Sequence, residues 1–299
     1  MEKNITNLKK NLHIHLTQNQ NVNGVIHICH GMAEHIGRYK WLTKKLNNDG
    51  YHVISIDHRG HGNNITDFDT QGYFSKKDGS KKVTKDLIHL LQYSKKNYPN
   101  LKKYLIAHSM GSWIALSSLI DGIEIDRIIL TGSSYIPKKL IILQQLIVQL
   151  NAYIFGDKSE SNFMYKITFE TYNNYFKPLK TDSDWISSDT ENVKAYVNDP
   201  LCGFKSKNNL WINLGQILLR VFNKKKYKYV NKDIPIFILS GRDDPVGGFG
   251  KGVKRLHKFL AKIFNKVEIE IVDECRHEVF SERNKENTYN MALNFLRAK

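Results

Sequence analysis

The feature that most constrains this chain is Lys103-Tyr-Leu-Ile-Ala-His-Ser109-Met-Gly-Ser-Trp113, a short apolar run followed by Ser-Met-Gly and a helix-like stretch. A serine at a sharp strand-to-helix turn projects its hydroxyl away from the sheet, and the turn aims a helix N-terminus at any oxyanion formed there. Strand and helix backbones approach closely at such a turn, so its flanks must be small. Gly111 meets that need, and Ala107 stands where glycine is usual. A buried serine in an ordinary strand–helix turn would look the same, so the remaining residues must decide.

The surrounding pattern places this turn in an α/β sheet. Strands are expected at Leu12–Leu16, Gly24–Cys29, Tyr51–Asp57, Tyr104–Ala107, Ile125–Thr131, Ile234–Ser240 and Val267–Val272. Helices are expected at Tyr39–Leu46, Val83–Tyr98, Trp113–Ile120, Val253–Phe264 and Thr288–Leu296. Strands separated by helices of this length form parallel βαβ units. The alternation stops between about Ser134 and Tyr229, where Leu140–Phe155 and Leu210–Phe222 read as helices. So long an insertion is expected to form a cap or lid over the carboxyl ends of the strands, where open α/β sheets bind ligands. The expected organisation is a core over 1–133, a helical cap over 134–229 and the rest of the core over 230–299.

Composition narrows the classes. The net charge is +16, from 45 Lys and Arg against 29 Asp and Glu. The basic residues are dispersed and accompany abundant Asn, Ile and Tyr, which reads as compositional bias with solvated lysines; no nucleic-acid motif accompanies them. No long apolar run predicts a membrane span and no secretory leader is visible. Cys29, Cys202 and Cys275 are an odd, widely spaced set that fits neither a disulfide framework nor a zinc site. A reducing, cytoplasmic location is expected.

A serine nucleophile needs a base and an acid to orient it, and in this type of sheet they follow in the order Ser, Asp or Glu, His, each on a loop after a strand. Gly241-Arg-Asp-Asp-Pro-Val246 follows one strand and Asp273-Glu-Cys-Arg-His277-Glu the next. Ser109 as nucleophile, His277 as base and Asp244 as acid satisfy that order; Asp243 competes with Asp244, which the following Pro245 favours. An oxyanion hole would take the backbone amides of Met110 and, from the loop His30-Gly-Met-Ala-Glu-His35, of Met32. Asp57-His-Arg-Gly-His-Gly62 lacks metal-ligand spacing and reads as a structural turn.

These pieces, with His30–Tyr39, His108-Ser-Met-Gly111, Arg276-His-Glu278, Asp184-Trp-Ile-Ser-Ser-Asp189 and Asp199-Pro-Leu-Cys-Gly-Phe204, resemble the monoglyceride lipase and lysophospholipase-like branch of the α/β-hydrolase superfamily. The resemblance runs from about residue 10 to 298. It implies an α/β-hydrolase fold: a mostly parallel sheet flanked by helices, with the cap between the sixth and seventh strands. It implies Ser109, Asp244 and His277 as a catalytic triad with Met32 and Met110 as oxyanion donors, and neither metal nor organic cofactor. The expected substrate is an ester of a single-chain lipid, a monoacylglycerol or lysophospholipid. The apolar Leu140–Phe155 suggests an acyl tunnel or a membrane-facing patch. Small-ester, thioester or aminopeptidase chemistry, and a non-catalytic binding role, remain the alternatives.

Overall fold

The computed structural model describes residues 11–298. Seven strands form one sheet in the order β1-β3-β2-β4-β5-β6-β7: β1 Leu12–His15, β2 Gly24–Cys29, β3 Tyr51–Ile56, β4 Lys103–His108, β5 Arg127–Thr131, β6 Ile236–Gly241 and β7 Val267–Val272. Only β1 runs antiparallel to its neighbour. The inner strands β2 to β6 are buried along their whole length, as strands covered on both faces must be, whereas β7 at the edge alternates exposed glutamates with half-buried isoleucines.

Successive strand residues feed two cores. Val25, Leu105, Ile128, Ile236 and Ile238 face one apolar cluster, while Ile26, Ile106, Ile129, Phe237 and Leu239 face the other. Helix α1 (Lys40–Asn48) covers the second face. Helices α2 (Gly79–Asn97) and α3 (Met110–Ile120) cover the first. The sequence placed the start of α3 at Trp113, but it begins directly after Ser109. Ten of its eleven residues are buried, so it has no polar face by which periodicity could mark its first turn.

All helices between Thr131 and Ile236 belong to one insertion. It contains α4 (Lys138–Phe155), two short helical turns (Asn162–Tyr165, Thr171–Asn174) around a π turn (Lys166–Glu170), α5 (Thr190–Val197) and α6 (Asn208–Val221). Among the described residues the sheet has seven strands, and the insertion lies between the fifth and sixth of them. The expectation of the sixth and seventh counts one strand more than this sheet holds ahead of the insertion. Nor is the insertion uniform. Leu210, Leu214, Ile217 and Val221 of α6 join the main core with α2 and α3, whereas Trp185, Ile186, Val193, Tyr196 and Cys202 form a separate small cluster.

The chain closes with α7 (Lys251–Leu260) and α8 (Lys285–Arg297). The three cysteines are buried and unpaired.

Several histidines are buried as neutral rings. His27 in β2 bonds Ser94 Oγ at 2.7 Å and the Tyr104 carbonyl at 3.0 Å. His30, His58 and His61 cluster behind the loop that follows β2, with ring centroids 4.4 Å apart for His30–His58 and 5.3 Å for His30–His61. Burial pulls His27 and His61 down to about 4 and His58 to about 3, from an ordinary 6.5. A folded-state histidine held below its unfolded value stabilises the fold above pH 6.5, and that contribution is lost as pH falls from there toward the folded value. Each of these three then loses about 2 kcal/mol between pH 7 and pH 5. Urea midpoints measured across this range should fall steeply below pH 6.5; a flat profile would contradict the buried neutral cluster.

Candidate active site

The site assembles where four loops meet at the carboxyl ends of β2, β4, β6 and β7. Ser109 sits between β4 and α3 at φ 50°, ψ −121°, with its amide bonded to the Thr131 carbonyl at 2.8 Å. Gly111 is required two residues on: a Cβ there would collide with the carbonyl oxygens of Cys29 and His30. Ala107, fully buried and paired with Cys29 and Leu130, is accommodated where glycine is usual.

Of the two candidate aspartates, Asp244 is the one that reaches the histidine. Its Oδ1 lies 3.0 Å from His277 Nδ1, and both side chains are almost fully buried. The same oxygen accepts the Val246 amide at 2.9 Å, which orients the carboxylate. Asp243 is half-buried and only its backbone is engaged, to the Cys275 carbonyl. Burial works against the charged form of His277, but the Asp244 charge and hydrogen bond outweigh it and raise the ring above 6.5. The His277 ring packs between His108, at 4.5 Å, and Trp185 of the insertion, at 4.9 Å.

Ser109, His277, Gly31 and Met32 line one small cavity together with Phe169, Trp185 and Tyr196. A Cβ on Gly31 would lie 3.2 Å from Ser109 Cβ, so the loop bearing Met32 runs directly beside the serine. Met110 is buried at the first position of α3. All five residues singled out in the sequence therefore occur around one point. Each loop also carries a non-glycine residue at positive φ: Ala33, Ser109, Phe249 and Glu274, at 50–54°. Such conformations are disfavoured by roughly 1–3 kcal/mol apiece and persist where surrounding packing dictates them.

The expected structural turn is one. Asp57 accepts the Ile36 and Asn63 amides, each at 2.9 Å, and His13 Nε2 at 3.0 Å, bracing the Met32 loop from behind.

What sequence reasoning did not assign is a buried charge network beside the cavity. Arg38 bonds both carboxylate oxygens of Glu278, the nearer through Nη1 and the other through Nη2 at 2.8 Å. Its Nη2 also donates to Asn192 Oδ1 of α5 at 2.9 Å, and Asn192 donates back to Glu278 at 2.8 Å. Glu34 completes the group: it accepts from the Gly31 amide at 2.5 Å and Tyr39 OH at 3.0 Å, and lies 3.5 Å from Arg38. The network thus joins the Met32 loop, the histidine loop and the insertion. Burial pushes the Glu34 carboxyl up to about 7 despite the Arg38 charge. The Glu34–Arg38 spacing of four residues was the available signal, but its partners lie 154 and 240 residues further along the chain.

Removing one partner of a buried ion pair leaves an uncompensated charge. Arg38→Met should lower stability by about 3–5 kcal/mol, and Arg38→Met with Glu278→Gln should recover part of it. Chemical denaturation of both variants checks this; equal losses would show that the pair is not coupled.

Comparison with known proteins shows the family. The chain is 23% identical to a monoglyceride lipase homolog of Monkeypox virus over 86% of this chain and 83% of that one. It is 24% identical to a probable lysophospholipase L2 of Haemophilus influenzae over 90% and 82%. Among solved structures, a thermostable carboxyl esterase from Bacillus coagulans superimposes with a TM-score of 0.86 at 25% identity, covering 95% of this chain and 92% of that one. The family described as serine aminopeptidase, S33, matches residues 20–284. This chain belongs to that family, within the α/β-hydrolase superfamily.

Proposed function

We propose that this protein is a serine hydrolase that cleaves carboxylic esters of single-chain lipids through an acyl-enzyme. The observation that carries the reading is the buried Asp244–His277 pair opening on the same cavity as Ser109 at its strained strand–helix turn. The relatives named as lipases and lysophospholipases support the lipid class. In this mechanism the neutral His277 takes the Ser109 proton as the hydroxyl attacks the ester carbonyl, and Asp244 stabilises the imidazolium. The amides of Met32 and Met110 hold the oxyanion. His277 passes its proton to the leaving alcohol, and water then releases the fatty acid.

The head group we favour is uncharged glycerol. Glu34 and Glu278 wall the cavity, and Arg38 behind them is already engaged with Glu278. A phosphodiester there would meet a carboxylate without a free cation, whereas glycerol hydroxyls can donate to Glu34. Those same carboxylates also favour a second reading, an aminopeptidase whose substrate amine they would hold. Release of p-nitroaniline from aminoacyl anilides separates the two.

The segment 134–229 acts as a cap in this reading. The cavity at Ser109 has a volume of about 20 Å³. That is room for about one water, so an acyl chain requires the cap to shift. Helix α4 supports contact with a lipid surface. It buries Ile141, Gln145 and Val148 but exposes Leu140, Ile142, Leu143, Leu146, Leu150, Ile154 and Phe155. Lys138 and Lys139 at its start suit anionic lipid. No helix of the described residues is long and apolar enough to cross a membrane.

Fatty-acid release from a long-chain monoacylglycerol and a matched lysophospholipid tests the assignment. Ser109→Ala should reduce the rate by roughly four to six orders of magnitude, with the monoacylglycerol the faster substrate; undiminished activity would sink it. The acid limb of the kcat/KM profile should lie above pH 6.5, because His277 must be neutral and its ring is raised. Asp244→Asn should shift that limb downward and slow the reaction. Exchanging Leu143, Leu146 and Leu150 for serine should reduce co-sedimentation with anionic vesicles and leave the Tm nearly unchanged, since all three are exposed; retained binding would remove α4 from the docking surface.

A further inference from the structure

Beside the charge network lies a second convergence that the ester chemistry does not use: His35, Asp199 and Cys202. Their nitrogen, oxygen and sulfur atoms all lie within 4.8 Å of one another. From these residues we infer a binding site for a zinc-like divalent cation that fastens the insertion to the Met32 loop.

Local structure builds the cluster from two directions. The Cys202 amide donates to the Asp199 carbonyl at 2.9 Å, so this tight turn places the two side chains on one side. Asp199 Oδ1 is fixed by the Leu201 amide at 2.9 Å, which leaves Oδ2 directed at His35 Nε2, 2.9 Å away. The Gly203 amide then bonds the Ala33 carbonyl at 2.9 Å and holds the turn against the loop that carries His35.

Imidazole, carboxylate and thiolate together suit zinc. Bonds of about 2.0–2.3 Å around a tetrahedral ion separate its ligands by roughly 3.3–3.7 Å. The cluster reaches that shape if His35 and Asp199 part slightly and the sulfur draws in. The side chains of His35 and Asp199 are 16% and 29% exposed, which leaves an entry path and a fourth position for water.

On binding, the Cys202 thiol proton leaves to solvent. The His35 ring proton moves from Nε2 to Nδ1, where the Gly37 amide now donates at 3.1 Å. Losing that hydrogen bond lowers affinity by about tenfold to a hundredfold, which makes this a reversible clamp rather than a permanent structural ion. Because the three ligands come from both sides of the contact, a bound ion would hold the insertion closed over Ser109.

The test is Co²⁺ titration of Ser109→Ala protein, whose readout is independent of ester turnover. One ion per chain should bind with a near-ultraviolet thiolate-to-cobalt charge-transfer band. Cys202→Ser should abolish the band, and His35→Gln and Asp199→Asn should each weaken binding by about tenfold or more, with circular dichroism unchanged. Absence of a band at millimolar Co²⁺, its persistence in Cys202→Ser, or indifference to both His35→Gln and Asp199→Asn would each overturn the proposal. Zn²⁺ competing for the same site should slow ester hydrolysis by the wild type but not by folded Cys202→Ser.

Discussion

The close approach of α3 to the end of β2 governs the rest of the site. Because Gly111 lets the helix rest against the carbonyls of Cys29 and His30, the serine before it is forced into a left-handed turn, and the loop leaving β2 must pass beside it. A methyl group at 111 would push helix and strand apart and carry Ser109 away from Gly31 and Met32. The same device recurs at Gly241, where a Cβ would strike the Cys275 and Arg276 carbonyls and thereby separate the Asp244 loop from the His277 loop. Two glycines thus set the distances on which the whole arrangement relies.

Strain and polarity are then concentrated around that frame. Four loops each hold one non-glycine residue at positive φ, and the surrounding contacts must offset that disadvantage. Arg38, Glu278, Asn192 and Glu34 supply part of it by tying three of the converging segments with charge-assisted hydrogen bonds. Their burial makes the arrangement all-or-none. A network with one member missing is worse than none, because the remaining charges stay desolvated.

The insertion divides its duties. Helix α6 is part of the main core, and Trp185 packs against the His277 ring. Helix α4 is inside-out by the standards of a surface helix. Gln145 is buried, donating to the Trp211 carbonyl at 3.1 Å against Gly215, while most of the leucines face outward. The neighbouring helix offers Gln145 a carbonyl acceptor and a hollow at Gly215 that a side chain there would fill.

Sequence by itself determined the strands of the sheet and the order along the chain of Ser109, Asp244 and His277 on the loops that follow three of them, since strand burial and glycine-dependent turns are local properties with short-range signatures. It offered Asp243 and Asp244 as candidates, and proline context favoured Asp244, the one whose carboxylate meets His277. Only the tertiary structure decided the partners of Arg38 and the meeting of His35 with Asp199 and Cys202, separated by more than 150 residues. It also decided which face of α4 is buried. These outcomes depend on how the insertion lies over the sheet. That placement arises from many weak contacts summed across the chain, and no short stretch of sequence carries it.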